Sequence, residues 1–409
     1  MTNGAATSRP KRTHLVLTAL LGALSTAIGC AVLEYGARQV EHRANSRPRG
    51  PDVSLDLAQP NPAGTGSFRL RPNLNVDFKI KSEHFVITTN SHGMRWREVS
   101  RAKPRGEQRI AFLGDSFAFG CWASRIENSF VGVVDRTLDP HRYEVLDFGV
   151  CGYGLDDMEL QWKELVDGFS PDYVVVTFFN GNDFRDTFLG LDRYDIVEGR
   201  AEMNVEREAR RLPPSIRSHV LVRCPPAADR SWLRGQLRRW ATFRLLLPLM
   251  GLDNLAIDFH AGLDFNDLTY WSRVPYPEIA RQARDKSLAV LDRMNAFARE
   301  RRARLVLVSI PFREQVYAAE PSGRHYDIGF PQTYLQVFAR DRGIAYLDLL
   351  PLLREHVART NQQLYWQGDI HFNERGHLLV GSLIGDWLPR VVLRPGDEQL
   401  SHDLSDETR

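Results

Sequence analysis

Four short islands in this sequence hold residue types that, brought together, could move an acyl group. In "RIAFLGDSFAFG" (109–120) an apolar run stops abruptly at Gly114-Asp115-Ser116. "GVCGYG" (149–154) is a glycine-rich turn, "FFNGND" (178–183) ends another apolar run, and "GDIHFNERGH" (368–377) carries Asp369 and His371. Serine is a poor nucleophile at its own pKa and needs an adjacent base, which His371 can supply. The imidazole in turn needs a carboxylate to fix its tautomer and stabilise its cation, a role for Asp369. A tetrahedral intermediate needs donors aimed at its oxyanion; the backbone N–H groups of Ser116 and Gly152 and the side-chain amide of Asn182 offer three. Glycine suits the second position because backbone must approach a substrate closely there. Each island alone also reads as a turn in which Asp, Asn or Ser bonds local backbone.

The islands need a scaffold that gathers them at one edge. Apolar, β-rich runs at 110–113, 143–150, 172–179, 304–312 and 344–349 predict five strands. Between them, Phe130/Val133/Val134/Leu138, Met158/Trp162/Leu165/Val166 and Ile279/Ala283/Val290/Met294/Phe297 recur at helical spacing, and a last helix is expected over 374–388. Strands alternating with helices predict an α/β fold whose parallel sheet is covered on both faces, and a flavodoxin-like doubly wound order is the natural expectation. In such sheets the ligand loops follow the C-terminal ends of the strands, where Ser116, Gly152 and Asn182 fall.

Composition sets the outer limits. Hydrophobic residues make up 43% and charged residues 25% of 409, ordinary for a globular chain, and the net charge of +2 makes no case for nucleic-acid binding. The four cysteines show no zinc spacing and are too scattered for a disulfide scaffold, so neither metal nor cofactor is expected. At the N-terminus a basic segment (1–13, with Arg9, Lys11 and Arg12) precedes an apolar run from Leu15 to Leu33. Nineteen residues in a helix span roughly 28 Å, close to the thickness of a bilayer core, so 14–35 reads as a transmembrane signal anchor. A cleaved signal peptide, a lipoprotein box at Ala27-Ile28-Gly29-Cys30 and a buried core helix are the alternatives. Arginines on both sides of the run leave its orientation open.

Residues 36–66 have the Pro/Gly/Asn/Ser content of a linker, and 67–106 alternates like a small β-rich extension. The main domain is expected over 107–392, interrupted at 184–275 by a basic helical insertion with ten arginines between Arg207 and Arg244, and followed by a polar tail, 393–409. Within the insertion, Leu233, Leu237, Trp240, Phe243 and Leu247 oppose Arg234, Arg238 and Arg239, the pattern of a packed lid helix or of a helix resting on an anionic surface.

With the islands in this order, the chain resembles the SGNH (GDSL-type) hydrolases over roughly 107–390, excluding the insertion. The four blocks correspond to Ser116 in "GDS", Gly152 in "VCGYG", Asn182 in "NGND" and His371 in "DIHFN". The resemblance implies a serine esterase or O-acyltransferase working through an acyl-enzyme. Ser116, His371 and Asp369 would form the triad, and Ser116, Gly152 and Asn182 the oxyanion hole. One feature departs from the family: a single residue separates Asp369 from His371, where most members have two. This D-x-H spacing is similar to that of SGNH-type acetyltransferases of exopolysaccharide O-acetylation, although many of those carry it before the serine. The resemblance thus points to an acylated envelope or secreted carbohydrate as substrate. It places the main domain outside the cytoplasm, with residues 15–33 in the membrane. A lipase or thioesterase acting at the membrane, and a non-catalytic module of polysaccharide assembly, are the competing readings. "TTNSHGMRWRE" (88–98) resembles a segment of anchored members, so His92 and Arg95 could line the cleft or sit in a turn. Cys121 and Cys151 follow neighbouring blocks and could pair, Trp366 and Tyr365 could stack on a sugar or pack, and His377 reads as structural.

Overall fold

The computed structural model describes residues 57–64, 67–80, 83–197, 200–203, 275–276, 278–317, 327, 329–366 and 369–393, with helical positions between 21 and 39. Two compact units divide the chain, one of residues 1–49 and 218–262, the other of 50–217 and 263–409. The first is described only at those helical positions; the architecture that follows belongs to the second.

The described part of this unit opens with two small antiparallel pairs, β1 (Ala58–Pro60) with β2 (Phe68–Leu70) and β3 (Asn75–Ile80) with β4 (Glu83–Thr88). β1 lies inside the stretch expected to be linker. Leu57 and Ala58 are buried there, so the linker composition gives way to packed structure by residue 57.

The centre is a parallel sheet of β5 (Gln108–Leu113), β6 (Tyr143–Asp147), β7 (Tyr173–Phe179), and two later strands. All seven residues of β7, "YVVVTFF", are buried, as expected when helices cover both faces. Helices α1 (Phe130–Thr137), α2 (Leu155–Glu164) and α3 (Asp183–Leu189) follow β5, β6 and β7 in turn. A hairpin, β8 (Tyr194–Val197) and β9 (Arg200–Met203), leads out of α3. Beyond it come α4 (Glu278–Glu300), β10 (Arg304–Ile310), α5 (Arg313–Tyr317), α6 (Phe330–Arg342), β11 (Ala345–Asp348), α7 (Leu349–Thr360) and α8 (Glu374–Val391). The sheet order is β11-β10-β7-β5-β6 with every pair parallel, so winding runs outward in both directions from β5. That is the flavodoxin-like order, and its switch point lies between β5 and β7, where a crevice opens beyond the strand ends.

Element boundaries differ from expectation for local reasons. β6 stops at Asp147 rather than 150 because the Asp147 carboxylate accepts the Gly149 N–H (2.8 Å) and turns the chain. β10 stops at Ile310 because Pro311 has no N–H for a ladder. α8 runs on to Val391, past Pro389 in its last turn. Helices α3, α6 and α7 have no counterpart in the periodicity reading.

The basic segment 1–13, most of the linker, the insertion from 204 to 274 including Leu233–Leu247, and the tail from 394 lie outside the described residues. Much of the expected anchor lies outside them too; positions 21–22, 25–26 and 28–36 are helical. Among the described residues, no helix is long and apolar enough to cross a membrane.

Candidate active site

Ser116 sits in a tight turn after β5. Phe119 N–H bonds the Asp115 carbonyl (3.0 Å), Cys121 N–H bonds the Ser116 carbonyl (3.0 Å), and the Asp115 side chain accepts the Phe117 N–H (2.9 Å). A buried guanidinium holds the turn from outside. Arg95, in the segment after β4, donates to the carbonyls of Phe119 (2.9 Å), Gly120 (2.8 Å), Ala123 (3.1 Å) and Val86 (3.2 Å). Burial of this cation holds its pKa below the ordinary arginine value, and four carbonyl acceptors replace the water it has lost.

The histidine arrives on a short, self-braced loop between α7 and α8. Tyr365 and Phe372 form an isolated antiparallel bridge, Trp366 N–H bonds the His371 carbonyl (3.0 Å), and Asn373 caps α8 by accepting the Gly376 N–H (3.0 Å). Across 255 residues of sequence, His371 Nε2 lies 2.7 Å from Ser116 Oγ. On the other side of the ring, Nδ1 lies 2.6 Å from Asp369 Oδ1, and the same oxygen accepts the His371 backbone N–H at 2.9 Å. The one-residue D-x-H spacing works because Asp369 closes an Asx-type turn onto the residue whose ring it orients. Burial disfavours the Asp369 carboxylate, but the hydrogen bonds and charge of His371 overcome this and hold its pKa below the usual range. The Trp122 indole adds to that lowering, although its Nε1 falls short of a hydrogen bond. Phe117 packs on the imidazole (5.2 Å between centroids) and on Phe179 and Phe372, fixing the ring from its face.

Gly152 and Asn182 lie in the loops after β6 and β7. Gly152 has φ +76°, a left-handed conformation that disfavours any side chain. Its carbonyl accepts from Arg193, a second buried guanidinium, which also binds Asp157 (2.6 Å) and the Gly190 carbonyl (2.7 Å). The Gly152 loop lies directly against the Ser116 turn: a Cβ on Gly149 would stand 2.1 Å from the Phe119 nitrogen. Neither the Ser116 nor the Gly152 N–H bonds a protein acceptor among the described residues. Asn182 occupies the N-cap of α3, yet its side chain makes no capping bond and its Oδ1 is buried without a partner. The capping work a turn asparagine would do is absent.

Below this group lie buried carboxyls. Burial pushes Asp115 up to about 7, and burial together with the neighbouring Asp115 carboxyl raises Asp183 well above its ordinary value. Asp183 also accepts the Phe179 N–H (2.9 Å), which ties the Asn182 turn to the end of β7. Among the described residues, no group of three or more His, Cys, Asp or Glu is placed to hold a metal ion.

The remaining candidates separate clearly. His92 bonds the Val99 carbonyl (3.2 Å) and packs on Phe169, a turn role. Tyr365 is buried with its hydroxyl on the Pro311 carbonyl (2.7 Å), so it packs and does not offer a face. Trp366 is half-buried and stacks on Trp122 at 4.8 Å beside Asp369. His377 receives the Phe130 N–H and lies 2.9 Å from the Cys121 carbonyl. Burial lowers its pKa to about 4, so it is neutral, with Nε2 as donor and Nδ1 as acceptor. Arg193, Phe117 and Trp122 were not singled out by sequence reasoning. No local signal marks a buried arginine, whereas the two aromatics stand within six residues of Ser116.

No family model matches this sequence, and no curated protein matches it either. Among solved structures, it is similar to a protein assigned to the lipolytic G-D-S-L family from Desulfitobacterium hafniense DCB-2 (14% identity, 68% of this chain and 99% of that one, TM-score 0.34). It is also similar to an acetyl xylan esterase (13%, 69% and 100%, TM-score 0.36). A third is a catalytic mutant of an acetylxylan esterase from Geobacillus stearothermophilus (13%, 69% and 94%, TM-score 0.35). At such scores these likenesses carry no weight for the site, which rests on the chain's own geometry.

Proposed function

We propose that this chain is a serine esterase or O-acyltransferase of SGNH type that acts on O-acyl, chiefly O-acetyl, groups of a carbohydrate. One observation carries the reading: the unbroken chain Ser116 Oγ–His371 Nε2 (2.7 Å) and His371 Nδ1–Asp369 Oδ1 (2.6 Å). As Ser116 Oγ attacks the acyl carbonyl, its proton passes to His371 Nε2, and the ionised Asp369 steadies the imidazolium. The oxyanion meets the N–H groups of Ser116 and Gly152 and the Asn182 amide. The leaving alcohol takes the proton from His371, and water or a sugar hydroxyl, deprotonated by the same histidine, then releases the acyl group. The half-buried Trp366, backed by Trp122 beside Asp369, offers a flat apolar face of the kind sugars stack on. Residues 15–33 are proposed to hold the chain in a membrane on the strength of their apolar length, with the hydrolase domain outside the cytoplasm on the strength of the resemblance to anchored SGNH proteins. A C-terminal phosphatase fusion would then be active, and an inactive one would reverse that topology.

The main test uses a fluorophosphonate probe and acetyl esters. Wild-type protein should be labelled on Ser116 and release acetate, and Ser116→Ala should do neither. Equal labelling of both would remove Ser116 from the chemistry. Adding bare oligosaccharides and following transferred acetyl by mass separates transferase from hydrolase.

A further inference from the structure

We infer that Cys121 and Cys151 form a disulfide that ties the turn of Ser116 to the loop of Gly152. Their sulfurs lie 3.0 Å apart as thiols, and both side chains are almost fully buried, at 2% and 1% exposure. A disulfide needs about 2.05 Å, so each sulfur has to move by only about half an ångström. The backbone on both sides is already fixed. The Cys121 N–H is fixed on the Ser116 carbonyl, and the Cys121 carbonyl on His377. On the facing loop, Val150 N–H bonds the Gly114 carbonyl (3.1 Å), and Gly149 lies against Phe119 with no room for a Cβ. The two cysteines are therefore presented to each other by contacts of the loops after β5 and β6 that do not depend on them.

The chemistry is thiol–disulfide exchange with a disulfide-bonded partner. One cysteine thiolate attacks a sulfur of that partner, breaks its S–S bond and forms a mixed disulfide. The second cysteine thiolate then displaces the partner's remaining half. Two electrons pass from the cysteine sulfurs to the partner, and the two thiol protons end on the two thiols it releases. Because neither sulfur is accessible in the folded chain, the exchange belongs to folding, before the loops close. The bond would fix the spacing of two backbone N–H groups, those of Ser116 and Gly152, and would shut a loop of 30 residues in the unfolded chain.

The test uses the full chain folded with glutathione disulfide as oxidant, then denatured without reductant, alkylated with iodoacetamide and mapped by mass. The expected product links the Cys121 and Cys151 peptides, two hydrogens lighter than their sum and separated by reductant. In the Cys151→Ser variant, Cys121 should become alkylatable. Reduction of the wild type should also lower Tm by about 5–10 °C. Alkylation of both cysteines in folded wild type, or a link to Cys30 or Cys224, would overturn the assignment, and an unchanged Tm would overturn the clamp. The readout is a covalent bond, so it stands or falls independently of the acyl chemistry.

Discussion

Beyond its own turn bonds, the Ser116 turn is braced by remote parts of the chain. Arg95 reaches it from the N-terminal extension, the Gly152 loop presses on it at Phe119, and His377 reaches its Cys121 carbonyl from α8. The loop of Asp369 and His371 is held mainly from within. Asp369 binds the ring and the backbone of a residue two positions on, Trp366 bonds His371, and Asn373 caps the helix that follows. The place of Ser116 thus leans on the tertiary structure, while His371 carries its own orienting group. Damage to the second loop should therefore appear as lost chemistry with the fold intact. Damage to the supports of the first should appear as lost stability.

The largest expected effect falls on the local loop. Asp369→Asn should lower kcat by about 10⁴, roughly 5.5 kcal/mol, because an amide favours the wrong imidazole tautomer. Tm should move by no more than about 2 °C, since Asp369 is a surface-edge residue of a short loop. Steady-state kinetics beside thermal melts would decide it; a variant within tenfold of wild type would mean another group orients His371.

Next comes the remote support. Arg95→Met should remove about 3–5 kcal/mol of stability, because four buried carbonyls lose their donor together. Arg95→Lys should recover only part, since one ammonium cannot span that fork. Urea midpoints measure both. If Arg95→Met melts like wild type, the Ser116 turn is as self-sufficient as its partner and the contrast between the loops fails.

Asn182→Ala should cost about 10²–10³ in kcat, roughly 2.7–4 kcal/mol, with little change in KM. As its side chain makes no capping bond, stability should change by less than about 0.5 kcal/mol. A loss of stability with kcat preserved would move Asn182 from the oxyanion to the turn.

The smallest effect concerns the residue that joins the two regions. His377 titrates at about 4 in the folded chain, below the 6.5 of an ordinary histidine. Only the unfolded chain takes up its proton between those values, so stability is complete above pH 6.5 and falls as pH drops toward 4. At pH 5 the loss is about 2 kcal/mol. Urea unfolding at pH 7 and pH 5 should show a shallower acid loss for His377→Gln than for wild type. Parallel slopes would mean that His377 accepts a proton in the folded state.

What could be read in the sequence follows the same division. The strand runs, the turns that end them and the D-x-H pair are local patterns, and their residues stand where those patterns suggested, at the carboxyl ends of β5, β6 and β7 and at the start of α8. Arg95 and Arg193 were not legible as supports. A charged side chain reads as exposed until the carbonyls that bury it are known, and those lie up to 41 positions away in sequence. β1 was hidden for a related reason, because a three-residue strand declares itself only through its pairing with β2. Helices α6 and α7 needed β10 and the edge strand β11 to give their apolar stripes a face to cover.

His377 also has a temporal meaning. The Ser116 turn is completed by groups 255 and 256 positions downstream, on His371 and on α8, which packs against α1. As the chain leaves the ribosome, β5 and its serine emerge long before those partners exist. Contacts of such high sequence separation form late in folding. Ser116 therefore meets His371 only once 255 further residues have been made, and until then a growing chain holds this serine without its imidazole partner.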